Sequence, residues 1–195
     1  MLALVGAPGA GKSTLARLFV DGVNERLDAG TAAYVPLDGF HLSNVQLEGL
    51  GLRHRKGTPD TFDVRGYLAL LRRLRTGTAY PVYIPDYDRG LHEPVAACLV
   101  VQPEVRLIVT EGNYLACDGV GWRDVREMVD ELWYLDVPDD VRETCLAERQ
   151  MMSGLSHNDA WAWVASNDRL NGEVVKESRD NCTRTVRHAS RGLPQ

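Results

Sequence analysis

The chain lacks the ingredients of several whole classes of protein. No stretch approaches the ~20 consecutive apolar residues of a bilayer-spanning helix, and the apolar opening Met1–Val5 breaks at Gly6, far short of a secretory h-region. Cysteine is scarce and scattered: Cys98, Cys117, Cys145 and Cys182 form no C-x-x-C pair and have no histidine at ligand spacing. That argues against a disulfide scaffold or a zinc site and fits thiols of a reducing, cytoplasmic compartment. Positive charge is also short, 22 Lys and Arg against 27 Asp and Glu, for a net charge of -5. A nucleic-acid partner held by bulk electrostatics is therefore not expected, nor a membrane partner, although a small anionic ligand needs only a few placed cations. Repeats, low-complexity runs and linkers are missing too, so the 195 residues are expected to form one domain. The first strand is expected to begin at residue 1, which leaves open whether a segment precedes it.

What is present is an alternation of short apolar runs with amphipathic stretches. Leu2–Val5 reads as a strand buried on both faces. Leu15, Leu18, Phe19, Val23 and Leu27 then recur at helical spacing up to Gly30. Residues 33–37 suggest a second strand whose Pro36 marks an edge or an end. Residues 41–60 look like a long loop. Asp63 is placed to cap a helix with Tyr67, Leu70, Leu71 and Leu74 on its apolar face. Strands are expected at 97–101 and 106–109 around a turn at Pro103, at 132–137, and at 183–187. Asp139 is expected to cap a helix to about Met152, and Ser156–Asp159 to open another toward Glu177. Strands alternating with helices imply crossovers and a mainly parallel sheet.

Gly6-Ala7-Pro8-Gly9-Ala10-Gly11-Lys12-Ser13-Thr14 fulfils G-x-x-x-x-G-K-[ST] between an apolar strand and an amphipathic helix. Glycines let backbone N–H groups converge on phosphates at a helix N-terminus. Lys12 is then the group for the β/γ oxygens and Ser13 the hydroxyl ligand of Mg²⁺, so ATP with Mg²⁺ is the expected nucleotide. No N-K-x-D string supports a GTPase, and no L-S-G-G-Q-like string an ABC ATPase. Two acids stand at strand ends. Asp38, in Leu37-Asp38-Gly39-Phe40-His41, suits either a general base for an attacking hydroxyl or a turn aspartate before Gly39. Glu111, ending Leu107–Gly112, suits either a ligand of Mg²⁺ or a polar strand terminus.

Together with Lys56-Gly57-Thr58-Pro59-Asp60-Thr61-Phe62-Asp63, Pro81–Tyr83, Pro85–Arg89, Glu111–Leu115 and Asn167-Asp168, these residues resemble the phosphoribulokinase/uridine kinase/pantothenate kinase group of P-loop kinases. The nearest branch is the bacterial one called nucleoside/nucleotide kinase-like or fructose-transport-system kinase-like, and the resemblance covers nearly the whole chain. It implies Asp38 as general base, Glu111 at the metal, Tyr83 to Arg89 along the acceptor pocket, and Arg149 as the lid arginine at the transferring phosphate. Gln150-Met151-Met152 departs from the basic or aromatic residues usual after that arginine.

Other residues carry two readings each. His41 either contacts the acceptor or orders its loop. Arg53-His54-Arg55-Lys56 reads as a solvated basic face, with Lys56 the exception expected to reach the acceptor. Asp86 belongs to the acceptor segment, and Arg89 either holds an anionic group of the acceptor, as the resemblance implies, or pairs with a neighbouring acid. Trp161 and Trp163 cannot share a helix face, so one is expected to pack and the other to sit at a lid or homodimer contact. Arg142 reads as a helix-surface arginine.

The expected fold is a three-layer α/β P-loop NTPase domain with a small helical lid near 142–165. The expected function is transfer of the γ-phosphate of ATP to an alcohol group of a small metabolite, a sugar, a nucleoside or a pantothenate-like compound. The rival is an ATP-binding regulatory module without turnover, against which the two intact acids count.

Overall fold

In the computed structural model, which describes residues 1–187, Leu2–Val5 forms β1, buried along its whole length. It runs parallel to Leu107–Gly112 (β5) on one side and to Glu131–Asp136 (β6) on the other. Ala32–Pro36 (β2) and Arg184–Arg187 (β7) complete a parallel sheet in the order β2-β5-β1-β6-β7. Pro36 thus closes an edge strand, where its missing N–H costs no ladder bond.

Strand alternation sorts the core into two layers. Leu2 and Leu4 face the helix Lys12–Arg26 (α1), against Ala16 and Val20, with Phe19 edge-on to Trp133. Ala3 and Val5 face the opposite layer, against Tyr67 and Leu71 of Val64–Thr76 (α3) and Trp122 and Val125 of Trp122–Arg126 (α4). The result is a three-layer α/β arrangement. Leu18, expected on the buried face of α1, is 63% exposed, and Leu27 lies beyond the helix end, exposed as well. The buried stripe runs instead through Ala16 and Val20, flanked by Leu15, Phe19 and Val23.

Asp63 caps α3 as expected, accepting from the backbone N–H of Gly66. Residues 41–60 are not one loop. Ser43 caps a short helix, Asn44–Gly49 (α2), and 3₁₀ turns follow at Arg53–Arg55 and Pro59–Thr61. Only Leu47 of α2 is buried, too weak a pattern to read as a helix. Val82–Asp88 (β3) is also a strand, pairing antiparallel with Glu93–Val101 (β4) in a separate hairpin with an irregularity between Ile84 and Asp86. The strand expected at 97–101 therefore begins earlier and belongs to this hairpin, not to the main sheet.

Asp139 does not cap the next helix, Asp139–Met152 (α5). Pro138 holds the cap position, and the Asp139 carboxylate binds Arg142 and Lys176 instead. Ser156 does cap, accepting from the N–H of Asp159, and opens His157–Trp163 (α6). A π turn over Val164–Asp168 joins α6 to Arg169–Glu177 (α7). Trp161 packs beside Leu146, Ala147 and Val164, while Trp163 is 40% exposed, the division expected of the pair. Among the described residues no helix is long and apolar enough to cross a membrane.

Candidate active site

The loop between β1 and α1 is shaped by glycine where the backbone demands it. Gly9 has φ +80°, and a Cβ there would lie 2.6 Å from the carbonyl oxygen of Arg142, so no other residue fits. Gly11, at φ +77°, turns the chain into α1. Gly6 packs tightly on Leu135 of β6, Ala7, Pro8 and Ala10 are buried, and Thr14 faces solvent one residue beyond Ser13. The N–H of Ala10 donates to the carbonyl of Ala7 (3.1 Å), closing the turn.

Lys12 is 8% exposed, and its ammonium donates to the Ala7 carbonyl (3.2 Å) and to Asn113 Oδ1 (2.7 Å). Burial pushes its pKa down, opposed by the charges of Glu111 and Asp38. Ser13 Oγ donates to Glu111 Oε1 (3.0 Å), and the Tyr34 hydroxyl donates to the same oxygen (2.7 Å). Glu111 is 2% exposed; burial raises its pKa, and the neighbouring Asp38 raises it further. The strand end thus holds a desolvated carboxylate beside the loop hydroxyl, an arrangement suited to a divalent cation.

Asp38 lies two residues past β2, at the start of the 3₁₀ turn Asp38–Phe40. It shares a cavity of about 180 Å³ with Ser13, Arg17, Tyr34, Asp86, Tyr87 and Arg89. The turn can reach this place because Gly39 sits against the hairpin: a Cβ on it would be 2.4 Å from the Pro85 carbonyl oxygen. Gly39 is needed for close approach, not for a left-handed backbone. Inside the cavity Asp38 Oδ2 is 3.6 Å from an Arg89 nitrogen, and Arg17 donates to Asp86 (3.3 Å) while lying 4.2 Å from the centre of the Tyr34 ring. Arg149 is exposed and does not line this cavity, though the charges of Arg89, Asp168 and Asp38 act on it. A larger cavity of about 340 Å³, lined by Ala7, the Tyr134–Asp139 segment, Arg142, Lys176 and Arg179, also borders the loop. It contains neither Ser13 nor Asp38, so the smaller cavity is the candidate reaction site.

Lys56 and Tyr83, expected near the acceptor, are placed differently, and of the two readings of His41 the structure shows the loop-ordering one. His41 is ordered within its loop: its Nδ1–H donates to the Asp38 carbonyl (2.8 Å), and its ring lies between Phe62 and Tyr87. Burial pushes its pKa down, which favours the neutral ring. Lys56 is no part of a solvated face, and its ammonium is held by Asn44 Oδ1 (2.7 Å), the His92 carbonyl (2.6 Å) and Glu93 (3.6 Å). Tyr83 is 67% exposed opposite Val100 on the hairpin and does not line the cavity. Of the expected segment, only Asp86, Tyr87 and Arg89 do.

Several contributors were missed. Arg17 follows Ser13 by one helical turn, a spacing that could have revealed it. Asn113 stands two residues after Glu111, but its partner Lys12 is 101 positions away. Arg142, read as a surface residue, is 2% exposed and donates to the Pro8 carbonyl (2.8 Å), so it braces the phosphate loop from α5. Its place one turn before the buried Leu146 was the available signal.

No family model matches the chain. A protein of Schizosaccharomyces pombe described as a "putative uridine kinase" is 31% identical over 184 residues, covering 91% of this chain and 78% of its own. The crystal structure of a "putative fructose transport system kinase" from Silicibacter superposes with a TM-score of 0.86 at 38% identity, over 95% of this chain and 88% of that one. Phosphoribulokinase from Rhodobacter spheroides shares the fold, with a TM-score of 0.62 at 12% identity over 96% of this chain and 69% of its own. With the complete phosphate loop and the two strand-end acids, these relationships place the chain in the phosphoribulokinase/uridine kinase/pantothenate kinase group of P-loop kinases, as an ATP-dependent small-molecule phosphotransferase.

Proposed function

We propose that the acceptor hydroxyl is phosphorylated in the cavity shared by Ser13 and Asp38. The observation that carries this reading is the cavity itself: α1, the turn after β2 and the β3–β4 hairpin bring a phosphate-loop hydroxyl and a carboxylate to one small space. ATP lies along Gly6–Thr14, with Lys12 released from Asn113 to meet the β/γ oxygens. Ser13 and Glu111 would hold a Mg²⁺ brought with ATP, which would offset charge on the phosphates, since Mg²⁺ typically takes one or two protein groups besides phosphates. Asp38 accepts the proton of the attacking hydroxyl, with Arg89 remaining beside its carboxylate. Lys12 and Arg149 offset the charge spread over the transferring phosphoryl group. The region 142–165 supplies the lid, as part of one domain with the sheet.

The acceptor is a neutral polyhydroxylated molecule such as a sugar or nucleoside. Both cavity arginines already face carboxylates, Arg17 with Asp86 and Arg89 with Asp38, so the cavity carries no surplus of positive charge for a strongly anionic acceptor. Free thiols at Cys98, Cys117, Cys145 and Cys182 support a reducing, cytoplasmic setting. The test is ADP release measured across a panel of sugars, nucleosides, pantothenate-like compounds and sugar phosphates. Stimulation by a neutral alcohol supports the reading; stimulation by phosphorylated compounds alone, or by none, defeats it.

A further inference from the structure

Asn167-Asp168, part of the kinase resemblance, is left without a role by the reaction site. Asp168 closes the π turn between α6 and α7, a helical form frequent at functional sites. It is 8% exposed, and its Oδ2 is, among the described residues, the one buried side-chain nitrogen or oxygen with no hydrogen-bond partner. Burying a carboxylate oxygen without a partner is costly, so such an atom calls for an explanation. Its surroundings supply one. The turn packs against α5, where Val164 meets Leu146 and Ala147, and the positive charges acting on Asp168 are those of Arg149 and Arg142, both on α5. Arg142 is already held by Pro8 and Asp139. Arg149 forms no ion pair of its own among the described residues, although Asp168 is the acid that most strongly favours its charge.

We propose that Asp168 is the positioning residue of Arg149, accepting its guanidinium when nucleotide binds and so aiming it at the transferring phosphate. The unpartnered oxygen is then a receptor kept ready in the open form. Arg149 can present one side of its planar fork to Asp168 and the other to phosphate, as a lysine could not. The inference rests on the role given to Arg149 above.

Charge follows from this geometry. In the free protein burial raises the Asp168 pKa to about 6, with Arg149 and Arg142 opposing the rise. Contact with Arg149 in the closed form favours the ionised carboxylate, so closure should lower that pKa. A protonated Asp168 holds the guanidinium poorly, so kcat/KM for ATP should fall as pH drops through about 6, and kcat only at lower pH.

Two measurements test this. The first is a carboxyl NMR titration of Asp168 in the wild-type protein, with and without Mg²⁺ and a non-hydrolysable ATP analogue. The expected result is a fall in the Asp168 pKa on adding the analogue, absent in Arg149→Ala. A pKa that does not move, or that moves equally in Arg149→Ala, overturns the proposal. The second is kinetic. Asp168→Asn should lower kcat about tenfold to 10²-fold with little change in KM for ATP, and should flatten the acid limb of the wild-type profile. In an Arg149→Ala background the same change should cost nothing further. Losses that multiply, or a wild-type kcat in Asp168→Asn, refute it. If no acceptor supports turnover the reading of the reaction fails by itself, while the titration still decides the Asp168–Arg149 contact.

Discussion

Asp38 stands 3.6 Å from the guanidinium of Arg89 in a cavity it shares with Ser13, so its carboxylate is held by a cation rather than buried bare. A positioned base and a nucleotide ligand fail differently when removed. Asp38→Asn keeps size and polarity but cannot take the proton, and kcat should drop by ~10²–10⁴. ATP affinity, measured by calorimetry, should stay close to wild type. Loss of affinity with kcat retained would make Asp38 a binding residue and move the base to Asp86, which shares the cavity. Asp88 is no candidate, because its carboxylate accepts from the N–H groups of Gly90 and Leu91 in the hairpin turn.

Asp168 gives a second prediction at this scale, with the opposite sign for stability. Its folded-state pKa of about 6 exceeds the ordinary 3.8, so between those values the folded protein keeps a proton that the unfolded chain has released. Stability therefore falls as pH rises through this window, and nearly the full penalty stands at pH 7, on the order of 3 kcal/mol at most. Asp168→Asn removes the charge and should raise the thermal midpoint at pH 7, with the gain shrinking toward pH 4. A midpoint lowered at pH 7 would show a carboxylate retained for stability.

At the scale of elements, the phosphate loop is held from three sides. β1 feeds it, α1 leaves it, and α5 braces it through Arg142, whose bond to the Pro8 carbonyl spans 134 positions of chain. Arg142→Lys keeps the charge but loses the fork that joins Pro8 to Asp139. Hydrogen bonds from charged groups contribute about 1.5–3 kcal/mol, so a stability loss of that order is expected together with weaker ATP binding. Wild-type stability and affinity in that variant would show the brace to be incidental. The hairpin was hard to read for a related reason. β3 contains Pro85 and the polar run Asp86-Tyr87-Asp88, and its register shifts between Ile84 and Asp86, so alternation is lost where the strand enters the site. The helix α2 was hidden because it buries a single leucine.

For the molecule as a whole, the metal should belong to the reaction and not to the fold. Among the described residues no group of three or more His, Cys, Asp or Glu side chains could hold an ion, and Ser13 with Glu111 is a pair that needs phosphate oxygens to complete a shell. A chelator should abolish turnover while leaving the thermal midpoint of the nucleotide-free protein unchanged. A midpoint that falls with chelator would indicate a structural ion and contradict this.

The sequence by itself determined the phosphate loop, the mainly parallel sheet with its helices, and the acids Asp38 and Glu111 at or just past strand ends, but not the β3–β4 hairpin or α2. These features rest on backbone turns and on hydrophobic periodicity, which neighbouring residues settle among themselves within a few positions. Only the tertiary structure decided which side chains meet. It turned His41 and Lys56 inward to hold loops, left Tyr83 in solvent, buried Arg142, and gathered Arg17, Tyr34, Tyr87 and Arg89 around Asp38. It also buried Asp168 in a turn packed against α5, with one oxygen left without a partner. Such contacts depend on how layers pack across the sheet edge, and the residues involved are separated by tens of positions that carry no local trace of the encounter.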